Sequence, residues 1–215
     1  MPLQQIFLQG KLSIHERYYQ LINHLKFQSP VLKTDLWNEL KTKWPIKANT
    51  YIEIDPKFVD DAKNRGYHAF NGNIERMNFK SNSFNTIIDL STIDHIKEPL
   101  SALKEYNRIL KRNKNSNCYI ICWLGILEPQ KMGNWNGMQY FFNKDEFIAK
   151  VYKSGFKIIS YESFKGIGNP NQRLVFFHLK KDKYLLKLLF KNTSIFEVIY
   201  NRRLYYKMLD GKKNN

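Results

Sequence analysis

The sequence has few acidic residues and few cysteines. These shortages limit the binding partners, the disulfide bonds and the metal sites that can be expected. Its 215 residues include 35 Lys and Arg against 19 Asp and Glu, which gives a net charge of +16. Such a charge attracts polyanions such as nucleic acid, anionic lipid or phosphorylated substrates. The two cysteines, Cys118 and Cys122, are too few for a disulfide framework and have no partners at metal-ligand spacing. No metal site is therefore predicted.

The sequence also has no long apolar run and no recognisable secretion signal. The residues MPLQQIFLQG lack a basic region followed by an apolar core. The longest uncharged run, residues 115–127, is too short to cross a bilayer. These features predict a cytoplasmic protein. Apolar residues make up 43% of the chain, which is enough to bury a core in a protein of this length.

Two predicted strands end in polar groups that belong at the same edge of a sheet. Residues 51–54 are mostly β-formers, Glu53 lies where this strand should stop, and Pro56 suits the first turn of a following helix. A second apolar run, residues 84–90, is followed by the polar stretch 91–95. In an open parallel sheet such endings lie at the carboxyl edge, where ligands bind.

The order of these motifs resembles that of class I S-adenosylmethionine-dependent methyltransferases. Glu53 matches the carboxylate that ends the family's second strand and holds the ribose hydroxyls of the cofactor. Gly72-Asn73-Ile74 matches its adenine-reading triplet. SNSFNTIIDLSTIDHI resembles the fourth strand and its loop, and EPLSALKEYNRILKRN the next helix, without its two glycines. The resemblance spans residues 31–180.

The resemblance implies an α/β, Rossmann-like fold. The expected sheet is mostly parallel and seven-stranded, with an antiparallel edge hairpin and helices on both faces. The turn GIGNPN between two strand-like runs independently supports the hairpin. Residues 1–30 are predicted to be a helical cover, 31–181 the Rossmann-like domain, and 182–215 a basic amphipathic helical tail.

The first motif of the family lacks its glycines in this chain. The family has an acidic residue and then G-x-G-x-G, because glycines let the backbone approach the cofactor closely. Residues 31–39 instead read VLKTDLWNE, and no glycine occurs between Gly10 and Gly66. One interpretation is a divergent methyltransferase, since LKTDL is similar to a string found at this position in other methyltransferases. The other is a degenerate domain that no longer binds the cofactor.

The resemblance implies S-adenosylmethionine as the cofactor. The Lys33 and Thr34 side chains are expected at its methionine end, where the Lys33 ammonium can pair with the carboxylate. The predicted cofactor-binding residues are Lys33, Thr34, Asp35, Glu53, Ile54, Asn73, Ile74 and Ser91.

Asp94 and His95 are the His/carboxylate pair at a predicted strand end. Histidine titrates near neutral pH, so His95 is predicted to be the base that deprotonates a hydroxyl acceptor, with Asp94 holding it or the acceptor. The alternative is that His95 caps the helix beside Pro99. The acceptor-side candidates, each with a purely structural role as its alternative, are His15, Tyr19, Asn134, Trp135, Met138 and Tyr140.

The carboxyl-terminal tail combines positive charge with apolar residues. Lys183, Lys187 and Lys191 recur every four residues beside Leu and Tyr, which is typical of a helix lying on an anionic membrane surface. The protein is then expected to be peripheral at the inner face of the membrane. Packing of the tail on its own domain, packing on a second subunit in a homodimer, and binding of nucleic-acid backbone fit the same pattern.

Three classes of function fit these features. The first, which we predict, is methyl transfer to a hydroxyl or similar nucleophile of a small molecule, glycan or lipid-linked acceptor. The second is nucleic-acid methylation, although Asp89-Leu90-Ser91-Thr92 lacks the N/D-P-P-Y/F pattern of many enzymes that methylate base amino groups. The third is a non-catalytic module on the same fold, for which the missing glycine loop is the argument.

Overall fold

The computed structural model describes residues 14–42, 45–125, 127–131, 137–165 and 172–182, with residues 14, 15, 17, 164 and 165 described by their backbone. The described residues up to Lys181 belong to one compact unit. None of the helices in these ranges is long and apolar enough to span a membrane. The predicted tail, residues 182–215, lies outside the described residues from residue 183 onward. Residues 1–13 lie outside them as well.

Strands and helices alternate through most of the described residues, the last of which form two long strands. The helices are α1 (Ile14–Asn23), α2 (Trp37–Lys41), α3 (Pro56–Asn64), α4 (Leu100–Ile109) and α5 (Lys144–Lys153). The strands are β1 (Val31–Lys33), β2 (Thr50–Glu53), β3 (Ala69–Asn71), β4 (Thr86–Leu90), β5 (Asn117–Gly125), β6 (Gln130–Lys131), β7 (Met138–Gln139), β8 (Phe156–Lys165) and β9 (Gln172–Lys181). A short 3-10 turn, Ile93–His95, follows β4.

Seven of these strands form one sheet in the order β3-β2-β1-β4-β5-β9-β8, and β6 pairs with β7 separately. Strands β1 to β5 are parallel to their neighbours, whereas β9 is antiparallel to both β5 and β8. The predicted fold, with its antiparallel hairpin at the sheet edge, is confirmed. The strand order reverses between β1 and β4, and in such sheets ligands bind at the carboxyl ends of the strands around this reversal.

Helices cover both faces of the sheet because side chains alternate along each strand. Ile88 of β4 packs in a cluster with Tyr18, Leu21 and Ile22 of α1. On the same side, α2 and α3 pack around Tyr51 of β2. The opposite face packs against α4 and α5 in a larger cluster whose members include Leu103, Tyr106, Phe147, Val151, Ile87, Ile120 and Phe177.

Helix α4 is shorter than the segment EPLSALKEYNRILKRN, residues 98–113, that was predicted to form it. It begins at Leu100 directly after Pro99, and the backbone turns extended at Leu110. Leu110 then forms a bridge with Phe84, next to the start of β4. The pairing with the sheet therefore ends the helix before its apolar periodicity does.

Gly66 and Gly155 allow a matched test of backbone strain. Each glycine follows a helix and has a positive φ, +83° for Gly66 and +86° for Gly155. We expect Gly66→Ala to cost about 1 kcal/mol, since nothing surrounds the added methyl group. Gly155→Ala should cost about 2 kcal/mol or more. There the added Cβ would lie 3.3 Å from the Asn107 amide, which donates a hydrogen bond to the Gly155 carbonyl. Urea denaturation measures both losses, and equal losses would contradict this account.

Candidate functional site

The carboxyl ends of β1, β2 and β4 lie at one edge of the sheet. Lys33 of β1 is in register with Tyr51 of β2 and with Ile88 of β4, so the loops after these strands leave the sheet together. Asp35 follows β1, Glu53 ends β2 and His95 lies in the turn after β4, so all three residues belong to this edge, or rim, of the sheet.

Glu53 ends β2 with its carboxylate fixed by the backbone that follows. Its Oε1 accepts hydrogen bonds from the N–H groups of Ile54 (2.8 Å) and Asp55 (3.1 Å). The Asn71 amide steadies this turn by donating to the carbonyls of Glu53 and Ile54. Burial raises the pKa of Glu53 and these N–H groups lower it, and the net shift of this pKa is upward.

The loop after β1 is held by a buried ion pair instead of glycines. The Lys33 Nζ is fully buried and lies 2.8 Å from Asp35 Oδ1 and 3.0 Å from Glu39 Oε2. Burial lowers the pKa of Lys33, but the two carboxylates outweigh it and leave this pKa raised. Glu39 also accepts a hydrogen bond from the Ile46 N–H, which ties α2 to the chain entering β2.

This arrangement differs from the predicted role of Lys33. Its ammonium is enclosed by carboxylates of its own loop, so it is not presented to the carboxylate of a ligand. The physical reason is that a buried charge needs a partner, and Glu39 is buried on the same side of the loop. Thr34 is buried too, and its hydroxyl donates to Thr92 Oγ1 (3.0 Å) and so joins the loops after β1 and β4.

Asp35 is held in this loop through one of its two oxygens. Its Oδ1 contacts the Lys33 ammonium and accepts a hydrogen bond from the Trp37 N–H (3.0 Å). Its Oδ2 is buried and has no hydrogen-bond partner among the described residues, as is also true of one side-chain atom each of Gln20, Asn38 and Asp94.

Two buried polar residues around β4 were missed by the sequence analysis. Asp89 accepts hydrogen bonds from the Tyr106 hydroxyl and the Thr92 N–H (2.8 Å), and burial raises its pKa to about 7. A lone acid inside an apolar strand run was the signal for it. Tyr18 reaches across from α1, and its hydroxyl lies 2.7 Å from Ser91 Oγ. Ser91 itself has a left-handed backbone, with φ 65°.

His95 is oriented by the chain after β5. Its Nδ1 lies 2.9 Å from the Met138 carbonyl, so Nδ1 carries the proton and Nε2 is the unprotonated nitrogen of the neutral ring. Burial lowers the pKa of His95 below its ordinary 6.5. The imidazole is therefore neutral at pH 7.

Asp94 is directed to β5 and not to His95, which was one of the two roles predicted for it, the other being to hold the acceptor. Its Oδ1 accepts from the Trp123 N–H (3.0 Å) and its backbone carbonyl accepts from the Tyr140 N–H (2.7 Å). Burial raises its pKa well above the ordinary range. The Asp94 side chain thus accepts a hydrogen bond from a β5 backbone N–H beyond the last residue that pairs with β4.

The predicted acceptor-side residues are only partly described. Met138 and Tyr140 are half-buried, and their backbones hold His95 and Asp94, whereas Tyr19 is half-buried in α1. Asn134 and Trp135 lie outside the described residues, as does the side chain of His15. A cleft of about 570 Å³ opens beside the end of β5 and is lined by Gly125, Leu127, Glu128, Phe141, Asn143 and Glu146.

The remaining predicted cofactor contacts take three different positions. Ile54 directly follows Glu53 and is 58% exposed, an unusual position for an apolar side chain. Asn73 is exposed and caps its own turn by accepting from the Glu75 N–H (2.8 Å). Ile74 is buried in the core with Leu32, so only its backbone remains for a ligand. Within the described ranges, no group of three His, Cys, Asp or Glu residues is placed to bind a metal ion.

A model of a known protein family matches part of the chain. Residues 36–115 match the model of a methyltransferase domain, and this region contains Glu53 and the Asp94-His95 loop. No curated protein matches the chain.

Solved structures resemble most of the chain at low identity. One is the 4+2 cyclase SpnF, with a TM-score of 0.58 and 14% identity over 78% of this chain and 81% of that one. Another is an S-adenosylmethionine-dependent methyltransferase from Methanosarcina mazei, with a TM-score of 0.56 and 14% identity over 76% and 98%. A third is the 1,6-didemethyltoxoflavin-N1-methyltransferase of Burkholderia thailandensis with bound S-adenosylhomocysteine, with a TM-score of 0.57 and 9% identity over 84% and 83%. At these identities the likeness shows the fold.

The buried ion pair gives a stability prediction. Lys33→Met leaves Glu39 and Asp35 without their counter-charge and should destabilise the protein by about 3–5 kcal/mol. The double variant Lys33→Met/Glu39→Met removes both buried charges and should recover about 2 kcal/mol of that loss. Urea denaturation of the two variants measures this coupling, and strictly additive losses would contradict it.

Proposed function

We propose that the chain is a class I methyltransferase whose cofactor is S-adenosylmethionine and whose acceptor is a hydroxyl, or a similar nucleophile, of a small molecule, glycan or lipid-linked molecule. The observation that supports this proposal is the neutral imidazole of His95, oriented on the rim by the Met138 carbonyl. A hydroxyl is a poor nucleophile until its proton has a base to go to, and the neutral imidazole is such a base.

The residues at the rim fit the cofactor that the family uses. When bound, the cofactor supplies an electrophilic methyl group on a sulfonium, so the protein must mainly position the acceptor. The Glu53 carboxylate, fixed by two N–H groups, would hold the ribose hydroxyls. The exposed Ile54 gives an apolar surface for the adenine.

His95 can accept the acceptor's proton at Nε2. The Nδ1–H bond to the Met138 carbonyl holds the ring in one tautomer and stabilises the imidazolium that forms. Because burial disfavours that cation, the proton is readily passed on to water after transfer. An amine acceptor with a neutral lone pair has less need of such a base before transfer, which is why a hydroxyl is favoured.

The charge of the whole chain suggests where the acceptor is found. A net charge of +16 attracts anionic groups, such as the phosphates of a lipid-linked acceptor. The basic tail lies outside the described residues, and the proposal that it rests on an anionic membrane surface depends on its sequence pattern alone. A protein located in the cytoplasm, peripheral at the inner face of the membrane, follows from that proposal.

Glu53→Ala tests the position of the cofactor. The substitution removes the group proposed to bind the ribose, so the affinity for S-adenosylhomocysteine should fall by about 1–3 kcal/mol, the scale of hydrogen bonds to a charged group. Isothermal titration calorimetry measures this loss. Asp60→Ala, an exposed acid on α3, serves as the control and should bind normally. An unchanged affinity for Glu53→Ala would show that the ribose lies elsewhere.

His95→Gln tests the proposed base. Transfer of a tritiated methyl group to a panel of hydroxyl, thiol and amine acceptors should favour hydroxyls, and the variant should lose about 10²- to 10⁴-fold in rate. Its affinity for S-adenosylhomocysteine should stay unchanged. The wild-type rate should rise with pH through a midpoint below 6.5, because the lowered pKa keeps the base neutral above it.

His24→Gln provides the control for this variant. His24 is exposed near the end of α1 and contacts the Gln20 carbonyl, so its loss should leave the rate unaltered. A His95→Gln enzyme that retains full activity, or a panel in which amines alone are labelled, would refute the proposed hydroxyl chemistry.

A further inference from the structure

The amino edge of the sheet, opposite the rim, is rich in basic residues. The described connections that enter the parallel strands β1, β2, β4 and β5 there are residues 24–30, 45–49, 80–85 and 110–116. None of these four connections contains an Asp or a Glu, and their basic residues are Lys26, Lys47, Lys80, Lys111, Arg112 and Lys114. Strand β9 is antiparallel to β5 and brings Lys180 and Lys181 to the same edge, with Asp182 after them. We call these eight Lys and Arg residues the basic edge.

Asparagine side chains tie the connections of this edge together. The Asn49 Oδ1 accepts hydrogen bonds from the Val31 N–H (2.8 Å) and the Ser29 hydroxyl (2.9 Å). The Asn85 amide donates to the Ser29 carbonyl (2.6 Å), and its oxygen accepts from the Asn113 amide (3.0 Å). These amides are neutral, so they fix the loops without adding negative charge. The lysines and the arginine beside them therefore keep their full positive potential.

The ammonium groups at the end of β9 are held by neutral oxygens. The Lys180 Nζ donates to the Lys114 carbonyl (2.7 Å), and the Lys181 Nζ donates to Asn82 Oδ1 (3.1 Å). Burial and the charge of Arg112 lower the pKa of Lys181 to about 8. Like charges held close together repel one another, and an anion placed beside them relieves that repulsion. The geometry of the edge therefore favours an anionic partner.

The width of the basic edge matches a surface of many phosphates. It crosses five neighbouring strands, β2, β1, β4, β5 and β9, or about 19 Å at the usual strand spacing of about 4.8 Å. The predicted tail, which follows Lys181, repeats Lys every four residues beside Leu and Tyr. The acyl chains of a bilayer can bury such an apolar stripe, whereas a nucleic-acid backbone offers phosphates and sugars to it. An anionic membrane therefore fits the edge and the tail sequence better than RNA does.

We propose that the basic edge docks on the phosphate headgroups of an anionic membrane. This goes beyond the proposed function, because it gives the described domain a binding surface and an orientation. The acids Asp35 and Glu53 belong to the opposite edge, so repulsion from the same headgroups turns the rim toward the water. A rim in that position is reached by a soluble acceptor or by the far end of a lipid-linked one.

Two full-length variants with the same net charge test this surface. The edge variant replaces four exposed side chains and carries Lys26→Gln, Lys47→Gln, Arg112→Gln and Lys114→Gln. The control variant replaces four exposed lysines outside the basic edge and carries Lys57→Gln, Lys97→Gln, Lys104→Gln and Lys131→Gln. Flotation with vesicles of phosphatidylcholine and phosphatidylglycerol measures binding, and thermal unfolding confirms that both variants are folded.

The edge variant should bind these vesicles about 10- to 100-fold more weakly than the wild type, because each basic residue close to an anionic surface strengthens binding several-fold. The control variant should stay within about 2-fold of the wild type, because its four lysines lie away from that surface. Equal weakening of the two variants, or equal binding of the wild type to vesicles of phosphatidylcholine alone, would overturn the proposal.

A second ligand separates the membrane from nucleic acid. If the edge variant loses binding to single-stranded RNA in a filter assay but floats with anionic vesicles like the wild type, the membrane proposal is wrong and the edge is a nucleic-acid surface. Calorimetry of the wild type with S-adenosylhomocysteine tests the methyltransferase proposal separately. The two proposals can therefore fail independently of each other.

Discussion

The buried ion pair between Lys33 and Glu39 is the constraint on which the rest of the site depends. A lysine at the end of the central strand β1 is fully enclosed, and burying an ammonium requires opposite charges close to it. Glu39 meets that need from α2, and Asp35 meets it from the loop between them. The loop therefore keeps a fixed course without any glycine, which explains how this chain forms the fold without a glycine-rich loop after β1.

The ion pair also sets the electrostatics of the rim. With Lys33 committed to one oxygen of Asp35, the loop presents negative charge toward the ends of β2 and β4. Burial raises the pKa of Glu53 and lowers that of His95, and the charge of Asp35 acts to raise both. The described loops at the carboxyl edge of the sheet therefore carry several acids in a chain whose net charge is +16.

The sequence predicted the fold well because the signals for it are local. Apolar runs, strand endings and the order of motifs identified the seven-stranded sheet, the edge hairpin, and the strand-end positions of Glu53 and His95. The hydrogen-bond and ion-pair partners of individual side chains depend on the tertiary structure, so they were not predictable from the sequence. Nothing in VLKTDLWNE shows that Lys33 turns toward Glu39, six residues on, and nothing in α1 shows that Tyr18 reaches Ser91, 73 residues away. Asp94 likewise pairs with a backbone edge that exists only once β5 is in place.

The most direct test of the account is a crystal structure of the protein with S-adenosylhomocysteine. The account predicts the ribose hydroxyls within about 3 Å of the Glu53 carboxylate, a hydrogen-bond distance. It also predicts that Lys33 stays paired with Glu39 and that the sulfur points toward His95. A ligand whose carboxylate displaces Glu39 from Lys33, or whose adenosine lies away from β2, would contradict it.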